Sequence, residues 1–371
     1  MTSCCSSVAR NSAGLHHPAI KVMLLIVSLF SLPVQAASHC VILQYHHFSD
    51  STPAITSVTL KQFDDHLDYL EQHDFKVLPL RDVVAALELG KPLPERCISL
   101  TVDDAYVSVY QNAFPRLEKR GWPLTVFVNT EAVDRGIAAY MSWDQIRALA
   151  SQGVSFENHG HGHIHMIRKN AGESDADWQQ RIIRDVSTAQ QRLTEETGTA
   201  PRLFAHPFGE YSPATLDIIS NMGLTGFGQQ SGPAWPGADF RVLPRFPMAA
   251  GYADMDSFVT KVNTLPLAVT AAEPADPLVA QGQTRPTLTL TLEPDSYSKS
   301  AIQCYIGGRR DVAINWSRDI PDQFTVTPNF ALGPGRHRTN CTMPAAETGR
   351  FHWYSHSWFV RNADGSWYSE Y

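Results

Sequence analysis

The chain has little that would hold nucleic acid. Its 371 residues carry 30 Lys and Arg against 37 Asp and Glu, a net charge of -7, and the basic residues form no stripe of the kind that neutralises phosphates. A GxGxxG phosphate loop is missing too, which removes the usual dinucleotide signature. No internal repeat and no low-complexity tract interrupts an ordinary globular composition. Long apolar runs are scarce. The run Val22 to Phe30 is too short for a span of about 20 residues. Lys21 precedes it and the small-residue segment "PVQAAS" follows, an order of basic, apolar and cleavable parts that describes a secretory signal peptide over residues 1–36, cut after Ala36. No stable membrane span is expected once it is removed.

Cysteine is also sparse, with six in the chain. Cys4 and Cys5 would leave with the leader, and no close Cys pair then remains to hold a metal. An exported chain meets an oxidising compartment, where disulfides persist. Cys40 opens the apolar run "CVILQYHH" and Cys97 opens "CISLTVDD". If these are neighbouring parallel strands, their first residues lie side by side. Cys40 to Cys97 is therefore the first pairing expected and Cys304 to Cys341 the second, although four cysteines permit three connectivities.

What is present is enough apolar residue, 43%, for one large core and a smaller second one. From Val41 to Pro247, short apolar runs alternate with amphipathic segments, the pattern of successive βα units. Thr59 with Gln62, and Ser142 with Gln145, are capping-box signatures ahead of helices. The segment 175–197 reads as helical and stops at Gly198, a natural C-cap. Parallel strands each followed by a helix, with no phosphate loop, favour a barrel over a dinucleotide sheet, and in such barrels the strand ends and following loops build the active site.

After about Leu267 the pattern changes. A linker-like run of small residues and prolines, 268–285, leads to "TLTLTLEP", "FTVTPNFAL" and "FHWYSHSWFVRN" with Gly and Pro turns between them. The expected organisation is a catalytic domain over 38–267, a linker over 268–285, and a small all-β sandwich over 286–371.

Two stretches carry chemistry. "SLTVDDAYVSVY" ends an apolar strand in two carboxylates, Asp103 and Asp104. A helix N-cap needs only one. "ENHGHGHIHM" places four histidines within seven positions, with His159 and His163 four apart and His161 and His165 likewise. Catalytic zinc takes three protein ligands from His and carboxylate and leaves a position for water. One Asp and two His would complete such a set, and the other Asp could take a proton from the water.

"TVDD", the His-x-x-x-His of His159 to His163, and "FAHPFGEYSP" come in the order and spacing of the polysaccharide deacetylase family, the NodB-homology carbohydrate esterases, which this chain resembles over roughly 41–247. The resemblance is nearest to the branch of exopolysaccharide poly-N-acetylglucosamine deacetylases. It implies an α/β fold, a distorted (β/α) barrel, with Asp103 as general base and Asp104, His159 and His163 as ligands of a divalent metal, zinc first among the candidates. Pro207, Gly209 and Tyr211 match the motif that forms one wall of the groove, where a backbone amide near Tyr211 would help hold an oxyanion. The chain departs from many members at Ala205, where an Arg orients the base. Arg245 in "VLPRFP" is the candidate replacement and, with Pro207, Gly209 and Tyr211, a candidate substrate-contacting residue. The late Leu-His motif that supplies an acid in many members is also missing, and His46 in "LQYHHFSD" is the candidate acid.

The activity implied is removal of acetyl groups from N-acetylglucosamine units of a polysaccharide outside the cytoplasm, in the periplasm or beyond. The acetylated polysaccharide is the expected partner, and no nucleic acid is. An O-acetyl esterase uses the same residues, and a glycan-binding protein that has lost catalysis is the non-enzymatic alternative. Trp143, Phe208 and Trp235 are candidate sugar platforms in the barrel. Trp316, Trp353, Trp358 and Trp367 are candidates in the β module.

Overall fold

The computed structural model describes Gly14 and residues 36–294, 296–347 and 349–369. Apart from Gly14 and Ala36, the expected leader lies outside these residues. Among the described residues no helix is long and apolar enough to cross a membrane.

Seven strands lie in an all-parallel sheet whose order follows the chain: β1 (Val41–Tyr45), β2 (Cys97–Asp103), β3 (Thr125–Val128), β4 (Ser155–Asn158), β5 (Leu203–Ala205), β6 (Thr225–Phe227) and β7 (Phe246–Pro247), with β7 on the outer side of β1. A further short strand, Lys76–Val77, rides beside β2. One parallel bridge, Phe227 to Leu243, follows β6. The sheet is thus a curled (β/α) half-barrel. The central strands β1 to β3 are largely apolar because both faces of the sheet are covered. Every residue of β1, β2 and β3 is buried.

Helices α1 (Leu60–Gln72), α2 (Leu80–Glu88), α3 (Trp143–Ala150), α4 (Asp175–Thr197), α5 (Pro213–Asn221) and α6 (Met255–Val262) surround the sheet. Both expected capping boxes are formed, at Thr59 with Gln62 and at Ser142 with Gln145. α4 ends at Gly198 in the left-handed conformation at φ 71°, a position where any Cβ would be strained. Phe63, Leu67 and Leu70 of α1 pack with Leu43, Leu100, Val102 and Val126 in the main core.

β1 and β2 start in register at Val41 and Ile98. Their preceding and opening cysteines, Cys40 and Cys97, are bonded with Cα atoms 4.7 Å apart. This staple sits at the N-terminal edge of the sheet, opposite the strand ends that carry Asp103.

The C-terminal part holds two four-stranded sheets. β8 (Leu265–Pro266), β15 (Phe351–Val360), β14 (Gly335–Pro344) and β11 (Gln303–Ile306) form one; β9 (Val269–Glu273), β10 (Leu288–Leu292), β13 (Gln323–Pro328) and β12 (Val312–Trp316) form the other. The bond Cys304 to Cys341 joins directly opposed residues of β11 and β14. β9 lies inside the stretch read as a linker. Its "VTAAE" has weak strand character of its own, and antiparallel pairing with β10 organises it. Trp358, counted among the available aromatics, is instead buried in this core and donates its indole N–H to Thr339 at 2.8 Å.

Candidate active site

The strand β2 ends at Asp103, and the chain turns at once. Asp104 and Ala105 both take positive φ, 73° and 54°, a conformation that costs non-glycine residues free energy and persists only where the surroundings impose it. This turn separates the two carboxylates. Asp103 stays wholly buried, whereas Asp104 faces the histidine loop.

That loop begins directly after β4 and is tied from below. Asp185 of α4 accepts hydrogen bonds from the backbone amides of His161 at 3.0 Å and Gly162 at 2.8 Å. Asn158 Oδ1 accepts from Gly160 N at 2.8 Å. Gly160 sits at φ +76°, and a Cβ there would lie 2.6 Å from Asp185 Oδ2, so the loop requires glycine on two counts.

The loop presents His159 and His163 to Asp104. Their Nε2 atoms lie 3.6 Å and 3.3 Å from Asp104 Oδ1, and the three ligand atoms all fall within 4.8 Å of one another. Tetrahedral bonds of about 2.1 Å place ligands roughly 3.4 Å apart, so the cluster has the dimensions of a metal site. His159 Nδ1 makes a 2.8 Å hydrogen bond with the Ala205 carbonyl, which fixes the Nδ1–H tautomer and leaves the Nε2 lone pair toward the cluster. Burial pushes the His163 imidazole down to about 4, against the Asp104 charge, and so favours the neutral form a ligand needs. His161 and His165 turn elsewhere, to Thr130 Oγ1 at 2.8 Å and to Glu210 at 2.9 Å.

Asp103 is held from two other strands. Arg245, just before β7, gives Nη1 to Oδ1 at 2.7 Å and Nη2 to Oδ2 at 2.9 Å, and Gln44 of β1 donates to Oδ2 at 2.6 Å. Burial alone would raise this carboxyl, but the Arg245 guanidinium and its hydrogen bonds hold it well below the usual carboxylate range. Arg245 itself is fully buried and lies against the Phe127 ring. It therefore contacts the carboxylate and not a ligand in the groove, which corrects its grouping with the substrate-contacting residues. Arg245 thus pairs with the carboxylate for which it is the candidate partner.

His46 follows β1 and is half-buried, close enough to act electrostatically on both Asp103 and His163. Pro207 and Gly209 form a short turn after β5 around Phe208. Phe208 has an edge contact with His163, ring centres 4.4 Å apart. The Tyr211 side chain is buried and packs edge-on against Phe359 of the β module, so only its backbone remains for the groove. A cavity of about 240 Å³ opens beside the cluster, bordered by Asp104, Tyr106, Asn129, Tyr140 and His163. Trp235 borders a different cavity together with Trp353 and Tyr354, and Trp143 is engaged by Asp134 and Arg192.

Gln44, Asn129 and Asp185 join the site from positions outside the sequence motifs. Asn129 Oδ1 is buried with no hydrogen-bond partner among the described residues and borders the cavity. A polar residue closing or following an apolar strand, as Asn129 does after β3, was the available signal.

The strand ends of this curled (β/α) half-barrel gather two carboxylates and a histidine pair, an arrangement suited to metal-assisted hydrolysis. Residues 90–227 match the family model described as Polysaccharide deacetylase, and over this region the chain is similar to that family of hydrolases acting on carbon–nitrogen bonds. A poly-beta-1,6-N-acetyl-D-glucosamine N-deacetylase of Staphylococcus aureus (strain MRSA252) is 27% identical over 196 residues, covering 51% of this chain and 67% of the relative. The solved structure of IcaB from Ammonifex degensii is 26% identical with a TM-score of 0.52, covering 59% of this chain and 95% of that one. Streptococcus pyogenes deacetylase PplD, solved with acetate, shares the fold at a TM-score of 0.51 and 24% identity over 57% of this chain and 93% of its own.

Proposed function

We propose that the chain is an exported, divalent-metal-dependent deacetylase that hydrolyses N-acetyl groups of an N-acetylglucosamine polysaccharide. The observation that carries this reading is the cluster of Asp104, His159 and His163 within 4.8 Å beside the separately anchored Asp103. The S. aureus relative's name supplies the substrate class, and the two disulfides agree with passage through an oxidising compartment, periplasmic or extracellular.

Asp104, His159 and His163 would hold the ion, zinc first among candidates. When bound, it supplies charge that polarises an acyl oxygen and lowers the pKa of a water. Asp103, ionised and immobilised by Arg245 and Gln44, accepts the proton of the attacking water. His46 gives a proton to the departing amine as the carbon–nitrogen bond breaks, leaving acetate and a free glucosamine. A backbone amide near Tyr211 faces the developing oxyanion. The half-buried Phe208 ring forms the groove wall.

The test is acetate release from N-acetylglucosamine oligomers and from acetylated xylan by metal-stripped and zinc-restored protein. Metal-restored release from the amide substrate supports the proposal. Release from the ester alone replaces it with an O-acetyl esterase, and silence on both with metal bound replaces it with a binding protein.

A further inference from the structure

Glu210 follows the groove-wall turn, yet the reaction above gives it no part. Its carboxylate is completely buried, and burial of a charge demands partners. These come from two places. The barrel supplies His165 Nδ1 at 2.9 Å and Arg168 Nη2 at 2.6 Å. The β module supplies the Tyr368 hydroxyl, which donates to Oε1 at 2.6 Å, and Arg336 Nη1 at 3.5 Å. Although burial opposes ionisation, hydrogen bonds from His165, Arg168 and Tyr368 hold Glu210 down at about 2, so the hub is an anion.

The C-terminal segment is fastened over this hub. Arg168 lies 4.9 Å from the Trp367 ring centre and 4.7 Å from that of Tyr368, and gives Nη1 to the Tyr368 carbonyl at 3.3 Å.

From Glu210 the contacts lead back to the metal cluster. His165, fixed by Glu210, stacks on Phe208 with ring centres 3.8 Å apart and planes 11° off parallel. Arg336 also approaches that ring, at 5.7 Å. Phe208 is a non-glycine residue at φ 59°, a backbone state that outside contacts must sustain. The same ring makes the edge contact with His163.

We infer that the C-terminal β module is a working part of the active site: Tyr368 and Arg336 lock Glu210, and Glu210, through His165 and Phe208, positions the ligand His163. Glu210, Tyr368 and Arg336 are thus positioning residues. The inference rests on the reading of Asp104, His159 and His163 as a metal site.

The experiment uses the full chain with Co²⁺ and Zn²⁺ as probes. Cobalt absorption reports ligand geometry, and chelator competition gives the zinc Kd. Residues that orient metal ligands typically change affinity 10–100-fold, so Glu210→Gln is expected to raise the zinc Kd about tenfold or more and to alter the cobalt spectrum. Tyr368→Phe should shift both in the same direction by a smaller factor, and should add nothing in the Glu210→Gln background, because the two act through one contact. Tyr297→Phe, which removes a hydroxyl bonded to Asp322 inside the module, should leave both readouts unchanged. If Glu210→Gln does not fold, Tyr368→Phe and Arg336→Gln carry the test. A wild-type chain that binds neither ion overturns the metal-site reading and the inference with it. A wild type that binds while folded Tyr368→Phe and Arg336→Gln keep its zinc Kd and cobalt spectrum overturns the inference alone.

Discussion

The guanidinium of Arg245 meets both oxygens of Asp103, at 2.7 Å and 2.9 Å, with neither side chain reached by solvent. The pair joins the end of β2 to the start of β7, 142 residues apart. Without the Arg245 charge, the same burial would push the Asp103 carboxyl upward. Arg245→Gln should therefore move the acid limb of the kcat/KM profile to higher pH. It should also destabilise the fold by about 3–5 kcal/mol, the usual consequence of stranding one partner of a buried ion pair. Denaturant unfolding and a pH–rate profile check both. An unchanged acid limb would mean that Asp103 does not set it.

The loop that carries His159 and His163 depends on Gly160. Gly160→Ala adds a Cβ 2.6 Å from Asp185 Oδ2 at a left-handed backbone position. We expect weaker metal retention with the barrel still folded, measured as zinc content after dialysis against chelator. Asp185→Asn should produce a milder loss, because the amides of His161 and Gly162 then face a weaker acceptor.

Several buried histidines make the fold sensitive to acid. Burial lowers His66, His206 and His356 to about 4 from an ordinary 6.5. Between those values the unfolded chain binds protons that the folded chain refuses. Stability contributed by these groups is therefore complete above about pH 6.5 and is lost as pH falls toward 4. Tm should drop between pH 7 and 5, and His356→Gln should flatten that drop. A Tm independent of pH over this range would contradict the burial argument.

The staple Cys40 to Cys97 closes a separation of 57 residues. In the chain-entropy account such a loop is worth about 4 kcal/mol. Cys40→Ala with Cys97→Ala should lower unfolding stability by about that amount while leaving the proposed metal site, at the other end of the strands, intact. Guanidinium titration and zinc stoichiometry of the double variant separate the two effects.

The sequence made local and strand-borne features legible. The runs "CVILQY" and "CISLTVDD" read as buried strands, and the Cys40 to Cys97 bond was the first of three possible pairings on the condition that these strands are parallel neighbours, as they are. The Ser and Thr caps of α1 and α3 were readable for the same local reason. What escaped depends on contacts between distant segments. Gln44 reads as one polar residue within an apolar strand until Asp103 is seen beside it. Asp185 looks like any acidic position of α4 until the histidine loop folds over it. β9 was hidden because "VTAAE" acquires strand character only from its partner β10. Glu210 lies within "FAHPFGEYSP", but its partners Arg336 and Tyr368 are more than a hundred residues away.

The most direct measurement of the central claim is acetate release from N-acetylglucosamine oligomers by zinc-restored protein, wild type beside Asp103→Asn. The account predicts release that depends on the metal and falls about 10²-fold or more in the variant, while both proteins bind zinc equally. Equal release by the two proteins would contradict Asp103 as the base, and no release by metal-loaded wild type would contradict the proposed activity itself.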